Sequence, residues 1–281
     1  MSQTLPSALP RFSAIVLAAD RTGKDPITLH TGAACKAFAP VAGTPMVIRV
    51  LDALAACEMI DTIVLCGPPE SLHTHCPELK RRIAAKQVLW IPNLNSPSRS
   101  AESGLQQIPA EVPVLLTTAD HALLTPDIVR NFLVAAMTQV GDAVVATVRA
   151  QDIAAAFPGS KRTVIRLRDG GFCGCNLFMF KPQGRSLVAF WQQAETLRKR
   201  PWRLIAQVLG FSTVLSYLFG SLTVQQGLDA ISKKAGILIR IVTLDDPRAG
   251  VDVDKAEDLQ LAESILSDQH YSATRDTPIT R

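Results

Sequence analysis

The sequence predicts an α/β fold, a three-layer α/β/α sandwich in which helices cover both faces of a mostly parallel sheet. Short apolar runs alternate with amphipathic segments of helical period through the first half of the chain, which is typical of parallel βαβ units. The 281 residues are 47% hydrophobic and 19% charged, the composition of a globular chain that buries a sizeable core. Ligands of such sheets bind at the carboxyl ends of the strands, so functional residues are expected there.

Strands and helices are predicted in alternation along the first half. The apolar runs that predict strands are 14–17, 61–66, 88–91, 112–117 and 142–149. The segments with helical spacing are 45–57, 78–85 and 126–140. The second half is less regular, and its predicted strands are 164–167, 177–180 and 237–244. We expect one domain over 11–266, with flexible tails at 1–10 and 268–281.

Composition also indicates which classes of binding partner to expect. The net charge of +4 suits anionic small substrates or a membrane surface. Aromatic residues make up only 5% of the chain and do not interleave with a basic stripe, so no nucleic-acid partner is expected. The six cysteines lack the spacing of a disulfide framework and residues 1–10 hold no apolar signal core, which predicts reduced thiols and a cytoplasmic protein. The His and Cys clusters at 73–76 and 173–175 lack the paired spacing of a structural zinc site.

The first predicted strand leads into a stretch that favours a polyanion. Small residues follow it at once, and small residues let a ligand approach backbone N–H groups. Arg21, Lys24 and Lys36 supply positive charge. The ligand that this combination fits most simply is a triphosphate.

Residues 17–23 and 35–46 resemble the opening of the NTP-transferase domains with a glycosyltransferase-A-like fold. That family includes the molybdenum cofactor guanylyltransferases and the sugar-phosphate and alditol-phosphate nucleotidylyltransferases. Its pattern is roughly L-A-A-G-x-G-x-R-M, then P-K-x-L-x-P-V-x-G-K-P-L; here the residues are L-A-A-D-R-T-G, then C-K-A-F-A-P-V-A-G-T-P-M. The second block matches closely. In the first, Asp20 stands where the family usually has glycine, which adds a side chain and a negative charge to the predicted phosphate loop.

The resemblance implies a Rossmann-like central sheet and an NTP substrate. Arg21 and Lys36 are then expected to stabilise the triphosphate and the leaving pyrophosphate. The residues assigned to the nucleotide in this stretch are Leu17, Ala18, Ala19, Arg21, Gly23 and Lys36.

A second strand end carries N-S-P-S-R-S-A-E-S-G-L at 95–105 and is predicted to enter a helix near Ser100. A serine at a helix N-terminus caps free N–H groups that can also meet an acceptor. The stretch resembles the family's G-x-x-x-S-x-x-x-G-L segment, which helps to hold the base and ribose. The resemblance therefore implies nucleotide contacts at Ser100, Ala101 and Gly104. A plain capped helix remains the alternative for Ser100.

Asp120 follows the strand predicted at 112–117. A carboxylate at the mouth of a parallel sheet can hold Mg²⁺ against phosphate oxygens. The segment resembles the family's G-D-M-P-L-L-T-P, in which the aspartate is a metal ligand, so Asp120 is expected to bind Mg²⁺. His121 and Ala122 replace the usual Met-Pro, and His121 is interpreted as a loop histidine.

Two further segments resemble family motifs. The residues V-D-V-D-K-A-E-D-L at 251–259 are similar to I-D-I-D-T-P-E-D-L, which implies Asp254 as the second Mg²⁺ ligand and Asp252 as its alternative; Mn²⁺ is the alternative ion. The acidic residues at 257 and 258 fall in the first turn of a predicted helix, where the helix dipole favours them. Gly174 and Asn176 match a G-x-N that lines the acceptor site in similar family members.

An apolar stretch interrupts the second half. The basic residues of R-K-R-P-W-R at 198–203 precede an uncharged run over 204–222. Polar residues and two glycines make this run a poor membrane span, and spanning would also separate Asn176 from Asp254. Two interpretations stay open. The stretch forms buried helices of an insertion over about 185–235, or it forms a basic-flanked apolar surface at 197–222 that rests on anionic lipid at the inner membrane face.

The predicted reaction is Mg²⁺-dependent nucleotidyl transfer. An acceptor phosphate or phosphonate, from a small molecule or a lipid, attacks the α-phosphorus of an NTP and pyrophosphate leaves. Arg21, Lys36 and Asp120 are the predicted catalytic residues, and an anionic acceptor needs no protein base. The alternatives are guanylyl or cytidylyl transfer to molybdenum cofactor and, from another class, a catalytically weak nucleotide-binding or membrane-docking module. The sequence does not indicate an oligomeric state.

Overall fold

The computed structural model of the chain describes residues 10–18, 25–196 and 211–275, and a mixed sheet lies at the centre of this part. The strands of the sheet are β1 Phe12–Leu17, β4 Ile60–Cys66, β5 Leu89–Ile91, β6 Val114–Thr118, β7 Ala143–Arg149, β8 Ile165–Leu167, β9 Gly170–Phe180 and β10 Ile239–Leu244. A separate hairpin consists of β2 Pro40–Val41 and β3 Thr44–Pro45. Each predicted strand is present with small shifts at its ends, except that β9 begins at Gly170 rather than at 177.

The strands lie in the order β10-β7-β9-β6-β1-β4-β5, and β8 pairs with β9. β9 runs antiparallel to β6, β7 and β8, whereas the pairs β1–β4, β1–β6, β4–β5 and β7–β10 are parallel. The carboxyl ends of β1, β4 and β6 therefore meet at one edge of the sheet. This confirms the predicted mostly parallel α/β class.

Helices cover both faces of the sheet. Those of the described chain are α1 Pro26–Thr31, α2 Met46–Ala55, α3 Pro77–Ala84, α4 Pro97–Leu105, α5 Pro126–Thr138, α6 Ala150–Ala156, α7 Leu187–Thr196, α8 Phe211–Leu218, α9 Val224–Ala235 and α10 Ala256–Arg275. On β1, Ala14 and Val16 join the buried cluster with α2, α3, α5 and α6, and Ile15 and Leu17 join the cluster with α4, α7 and α9. Since successive side chains of a strand point to opposite faces, β1 is buried on both sides. The three-layer prediction is confirmed.

Helix α4 begins earlier than predicted. Ser96 is its N-cap and its Oγ accepts a hydrogen bond from the Arg99 N–H at 3.4 Å, while Pro97 occupies the first turn. The fixed φ of proline suits that position, so the predicted start near Ser100 is wrong. The Ser100 Oγ instead accepts a hydrogen bond from the Leu94 N–H at 2.8 Å, which ties the preceding loop to the helix.

The region 185–235, expected to hold an apolar helical insertion, contributes three helices to the described chain. α7 and α9 pack Val188 and Ile231 into the second buried cluster and so belong to the helical layer itself. α8 differs, because large apolar side chains on it and just after it are exposed: Leu215 by 42%, Tyr217 by 48%, Leu218 by 72% and Phe219 by 78%. Within the described residues, no helix has both the length and the hydropathy required to cross a bilayer. Residues 197–210 lie outside the described chain.

The last helix extends further than the sequence suggested. We expected a flexible tail from residue 268, but α10 continues to Arg275. The stretch 256–275 contains neither glycine nor proline, so no residue in it breaks the helix. The buried Leu259 and Ala262 hold its first turns against the core.

Candidate active site

Three side chains from distant parts of the chain meet at the carboxyl end of the sheet. Lys36 opens a short 3-10 turn, Lys36–Phe38, which the buried Phe38 anchors. Asp120 lies two residues beyond β6, and Asp254 lies just before α10. Lys36 Nζ donates to Asp120 Oδ2 at 2.6 Å and to Asp254 Oδ1 at 2.5 Å. The structure thus brings the predicted phosphate-binding lysine into contact with both carboxylates predicted to bind metal.

The carboxylates determine the charge state of this lysine. Burial alone would lower the pKa of the Lys36 ammonium, but the charges and hydrogen bonds of Asp120 and Asp254 outweigh burial and hold that pKa above its ordinary value. The ammonium therefore stays charged at any physiological pH. Lys36 and Asp120 expose only 15% and 20% of their side chains, whereas Asp254 exposes 61%. Asp254 is the member of the trio that a substrate reaches most easily.

Asp120 is fixed on two sides. The Thr118 hydroxyl donates to Asp120 Oδ1 at 2.6 Å, and the Asp120 carbonyl accepts from the Val253 N–H at 3.0 Å. The second bond ties the end of β6 to the segment that carries Asp254. The neighbouring His121 is fully buried, and burial lowers its pKa to about 4, so its imidazole is neutral near pH 7.

Asp252 lies beside this trio but has its oxygens engaged elsewhere. Its Oδ1 accepts from Arg162 Nη1 at 3.2 Å and its Oδ2 accepts from Asn176 Nδ2 at 3.2 Å. Burial, with the nearby charges of Asp254 and Asp120, raises the pKa of the Asp252 carboxyl. Because its oxygens contact Arg162 and Asn176 rather than Lys36, Asp252 suits a supporting position better than Asp254 does.

Asn176 reaches Asp252 because β9 bulges. In the pairing of β7 with β9, Val145 faces Phe178 and Thr147 faces Gly174, so β9 holds extra residues between the two pairs. Asn176 lies in this bulge with a φ of +51°, a conformation that asparagine tolerates better than most residues. Both residues predicted to bind the acceptor lie on β9. Asn176 contacts Asp252, whereas Gly174 is exposed.

Two charged residues of the site were not predicted to be functional. Arg162 Nη2 lies 2.9 Å from Asp258 Oδ1, and both side chains are more than nine-tenths buried. Asp258 Oδ2 accepts from the backbone N–H groups of Asp254 and Lys255, each at 3.1 Å. The sequence correctly indicated that Asp258 belongs to the start of a helix, but nothing in the polar stretch S-K-R-T at 160–163 pointed to Arg162.

Comparison with known proteins decides the family. Residues 14–234 match the MobA-like NTP transferase domain. The chain belongs to this family. It is a nucleotidyltransferase, as the resemblance at residues 17–23 and 35–46 implied. The matched range ends before Asp252 and Asp254, and the contact between Lys36 and Asp254 joins the segment beyond that range to the matched domain at the site.

Solved structures agree with that assignment. A hypothetical transferase from Thermus thermophilus is 32% identical over 89% of this chain and 99% of its own, with a TM-score of 0.73. The 4-diphosphocytidyl-2C-methyl-D-erythritol synthase of Anaerococcus prevotii, at 11% identity, covers 92% of this chain and 96% of its own with a TM-score of 0.56. A CMP:2-keto-3-deoxy-manno-octonic acid synthetase complexed with CTP, at 12% identity, covers 92% and 99% with a TM-score of 0.57. The last two share the fold. A search of curated proteins gives no match.

Nucleotidyltransferases of this kind generally use divalent metal ions, and the carboxylates of Asp120 and Asp254 fit one. Oxygens of Asp120 and Asp254 converge on a single cation position, since both lie within 2.6 Å of Lys36 Nζ. The described residues contain no group of three or more His, Cys, Asp or Glu arranged to hold a metal ion. Mg²⁺ is commonly held by only one or two carboxylates together with substrate phosphates and water, so a pair of carboxylates is a donor set that fits such an ion.

Apart from Lys36, the residues predicted to contact the nucleotide divide into three groups. Leu17 and Ala18 are buried at the carboxyl end of β1, where the Ala18 N–H donates to the Cys66 carbonyl at 3.0 Å. Ser100, Ala101 and Gly104 are buried where α4 packs on the sheet. A side chain on Gly104 would meet Ile15 at 3.1 Å, so that glycine permits close packing. The predicted residues outside the described chain are Ala19, Arg21 and Gly23.

Proposed function

We propose that this nucleotidyltransferase moves a nucleoside monophosphate from an NTP to a phosphate or phosphonate oxygen, with Mg²⁺ held by Asp120 and Asp254. The acceptor oxygen forms a bond to the α-phosphorus, the bond between that phosphorus and the oxygen bridging to the β-phosphate breaks, and pyrophosphate leaves. The observation that carries the proposal is the convergence of Asp120, Asp254 and Lys36 at the carboxyl end of the sheet.

The side chains of the cluster have separable roles in this reaction. Asp120 and Asp254 hold the cation, which neutralises charge on the α-phosphate when it is bound. Lys36 stays protonated and can pair with phosphate oxygens of the substrate and of the leaving pyrophosphate, together with Arg21. Asn176 presents an amide beside Asp252 on the side of β9 and is the proposed contact for the acceptor. An anionic acceptor carries no proton to remove, so positioning and electrostatics account for the catalysis.

The donor nucleotide can be identified by thermal stabilisation. We expect one of ATP, CTP, GTP and UTP, each with Mg²⁺, to raise Tm by several degrees, since a ligand that binds only the folded protein stabilises it in proportion to its occupancy. Asp120→Asn should remove most of this shift. The matched control is Asp127→Asn, which changes an exposed carboxylate on α5 and should keep the shift. If no nucleotide shifts Tm, the proposed function is wrong. If only GTP or CTP does, molybdopterin becomes the first acceptor to assay beside phosphates and phosphonates.

We also propose that α8 docks on an anionic bilayer, which would supply a lipid phosphate as acceptor. The support is the exposed apolar set around Leu218 and Phe219. Basic residues adjoin it, because the Arg168 N–H donates to the Leu222 carbonyl at 2.9 Å and Arg166 and Arg168 are both exposed on and after β8. Apolar side chains next to arginines are the combination that binds anionic lipid surfaces.

Vesicle sedimentation tests this docking. The protein should bind vesicles enriched in phosphatidylglycerol and release them at high salt, and it should bind pure phosphatidylcholine weakly. Leu218→Asp combined with Phe219→Asp should weaken binding by roughly tenfold or more, because two exposed apolar side chains are lost. Val140→Asp changes an equally exposed apolar residue after α5 and should bind as the wild type does. Equal binding of the double variant and the wild type would exclude α8 as the docking surface.

A further inference from the structure

The segment 251–255 carries Asp252 and Asp254 on a stretch without regular secondary structure. Val251 and Val253 are fully buried, while Asp252 and Asp254 alternate with them and expose 35% and 61% of their side chains. The two valines anchor the segment in the core. They do not orient the carboxylates of Asp252 and Asp254, so polar contacts are needed to orient them.

Arg162 makes those contacts from a single guanidinium. Its Nη1 donates to the Asp252 carbonyl at 2.9 Å and to Asp252 Oδ1 at 3.2 Å. Its Nη2 pairs with Asp258 at 2.9 Å. Asp258 in turn accepts from the N–H groups of Asp254 and Lys255. One buried arginine therefore holds the main chain and the carboxylate on one side of Asp254, and through Asp258 it holds the main chain on the other side.

The side chains joined by these contacts carry more negative than positive charge. They are four carboxylates, Asp120, Asp252, Asp254 and Asp258, and two cations, Lys36 and Arg162. Each carboxylate has a cationic partner, but with all six groups ionised the four negative and two positive charges give the set a net charge of −2, which suits a divalent ion. A buried arginine is costly unless it is paired. Its planar guanidinium presents separate nitrogens in a fixed fork, so that Nη1 meets Asp252 while Nη2 meets Asp258.

From these contacts we propose that Arg162 is a positioning residue for the metal site. By holding Asp252 and Asp258, it orients Asp254 toward the cation. The inference rests on the proposed function, because it takes Asp254 to be a metal ligand. Residues that orient metal ligands typically contribute ten- to a hundredfold to metal affinity.

The test measures Mn²⁺ binding by electron paramagnetic resonance, with Tm recorded for each variant. Arg162→Gln should weaken Mn²⁺ binding by roughly ten- to a hundredfold in protein that is still folded. Arg162→Lys keeps a positive charge that can pair with Asp258. Its Tm should therefore be closer to the wild-type value than its Mn²⁺ affinity is. Arg130→Gln breaks an exposed arginine–aspartate pair on α5 and should leave both unchanged.

Two further variants separate the possible outcomes. If Arg162→Gln does not fold, Asp258→Asn serves instead, since it removes the same ion pair and should weaken Mn²⁺ binding in the same range. A variant whose Tm is lowered but whose Mn²⁺ affinity equals that of the wild type would show that the residue has a purely structural role, and this would overturn the inference. Asp254→Asn tests the underlying function: if it keeps wild-type Mn²⁺ affinity, the proposed metal site is wrong, whereas if only the Arg162 variants keep it, the inference alone fails.

Discussion

Replacing Asp120 with asparagine should lower kcat/KM for nucleotidyl transfer by on the order of 10³-fold, about 4 kcal/mol of transition-state stabilisation. Both carboxylate oxygens are in use, Oδ2 with Lys36 and Oδ1 with Thr118. An amide supplies neither the negative charge that a divalent ion requires nor a second acceptor oxygen. The substitution is nearly isosteric and leaves the main-chain bond to Val253 intact, so the protein should stay folded.

Steady-state assays of pyrophosphate release, with the donor that thermal stabilisation identifies, would measure this loss. Tm of the unliganded protein should change by little, and raising the Mg²⁺ concentration should restore part of the activity. Asp127→Asn on α5 is the control and should retain wild-type kinetics. Activity of Asp120→Asn within tenfold of the wild type at saturating Mg²⁺ would contradict the assignment of Asp120 as a ligand.

The sequence predicts the core of the site because each of its residues follows a recognisable local pattern. Asp120 comes shortly after an apolar run of the length and composition of a buried strand, and Lys36 precedes the P-V-x-G turn. The structure builds that turn as the β2–β3 hairpin, with positive φ at Ala42 and Gly43. Parallel strands bring their carboxyl ends together, so residues 84 positions apart in the sequence come into contact.

The supporting contacts could not be predicted in the same way. Arg162 lies in a polar stretch without periodicity, and its partner Asp252 is 90 positions away, so only tertiary packing brings them together. The start of α4 shows a different limitation. Both Ser96 and Ser100 can cap a helix, and Pro97 was the local signal that favours the first. The nucleotide contacts assigned to Arg21 and Ser100 stay predictions.

Lys36→Met should change catalysis and metal binding in opposite directions. In the structure the Lys36 ammonium lies within 2.6 Å of oxygens from both Asp120 and Asp254, so it occupies the position in which they would hold a divalent ion. A metal that binds the protein without nucleotide must therefore displace this ammonium. When an NTP binds, its phosphate oxygens can pair with the Lys36 ammonium. Asp120 and Asp254 are then available to the metal. We therefore expect Lys36 to couple binding of the metal to binding of the nucleotide.

We expect Lys36→Met to lower kcat/KM by roughly 10³-fold, because the triphosphate loses its buried cation. The same variant should bind Mn²⁺ about tenfold more tightly than the wild type in the absence of nucleotide, since removing a competing charge from two carboxylates favours the ion. Electron paramagnetic resonance measures the second effect without any turnover. Lys80→Met, an exposed lysine on α3, is the control and should change neither quantity. Weaker Mn²⁺ binding by nucleotide-free Lys36→Met would show that the lysine supports the carboxylates rather than competing with the metal, and the coupling would then have to arise elsewhere.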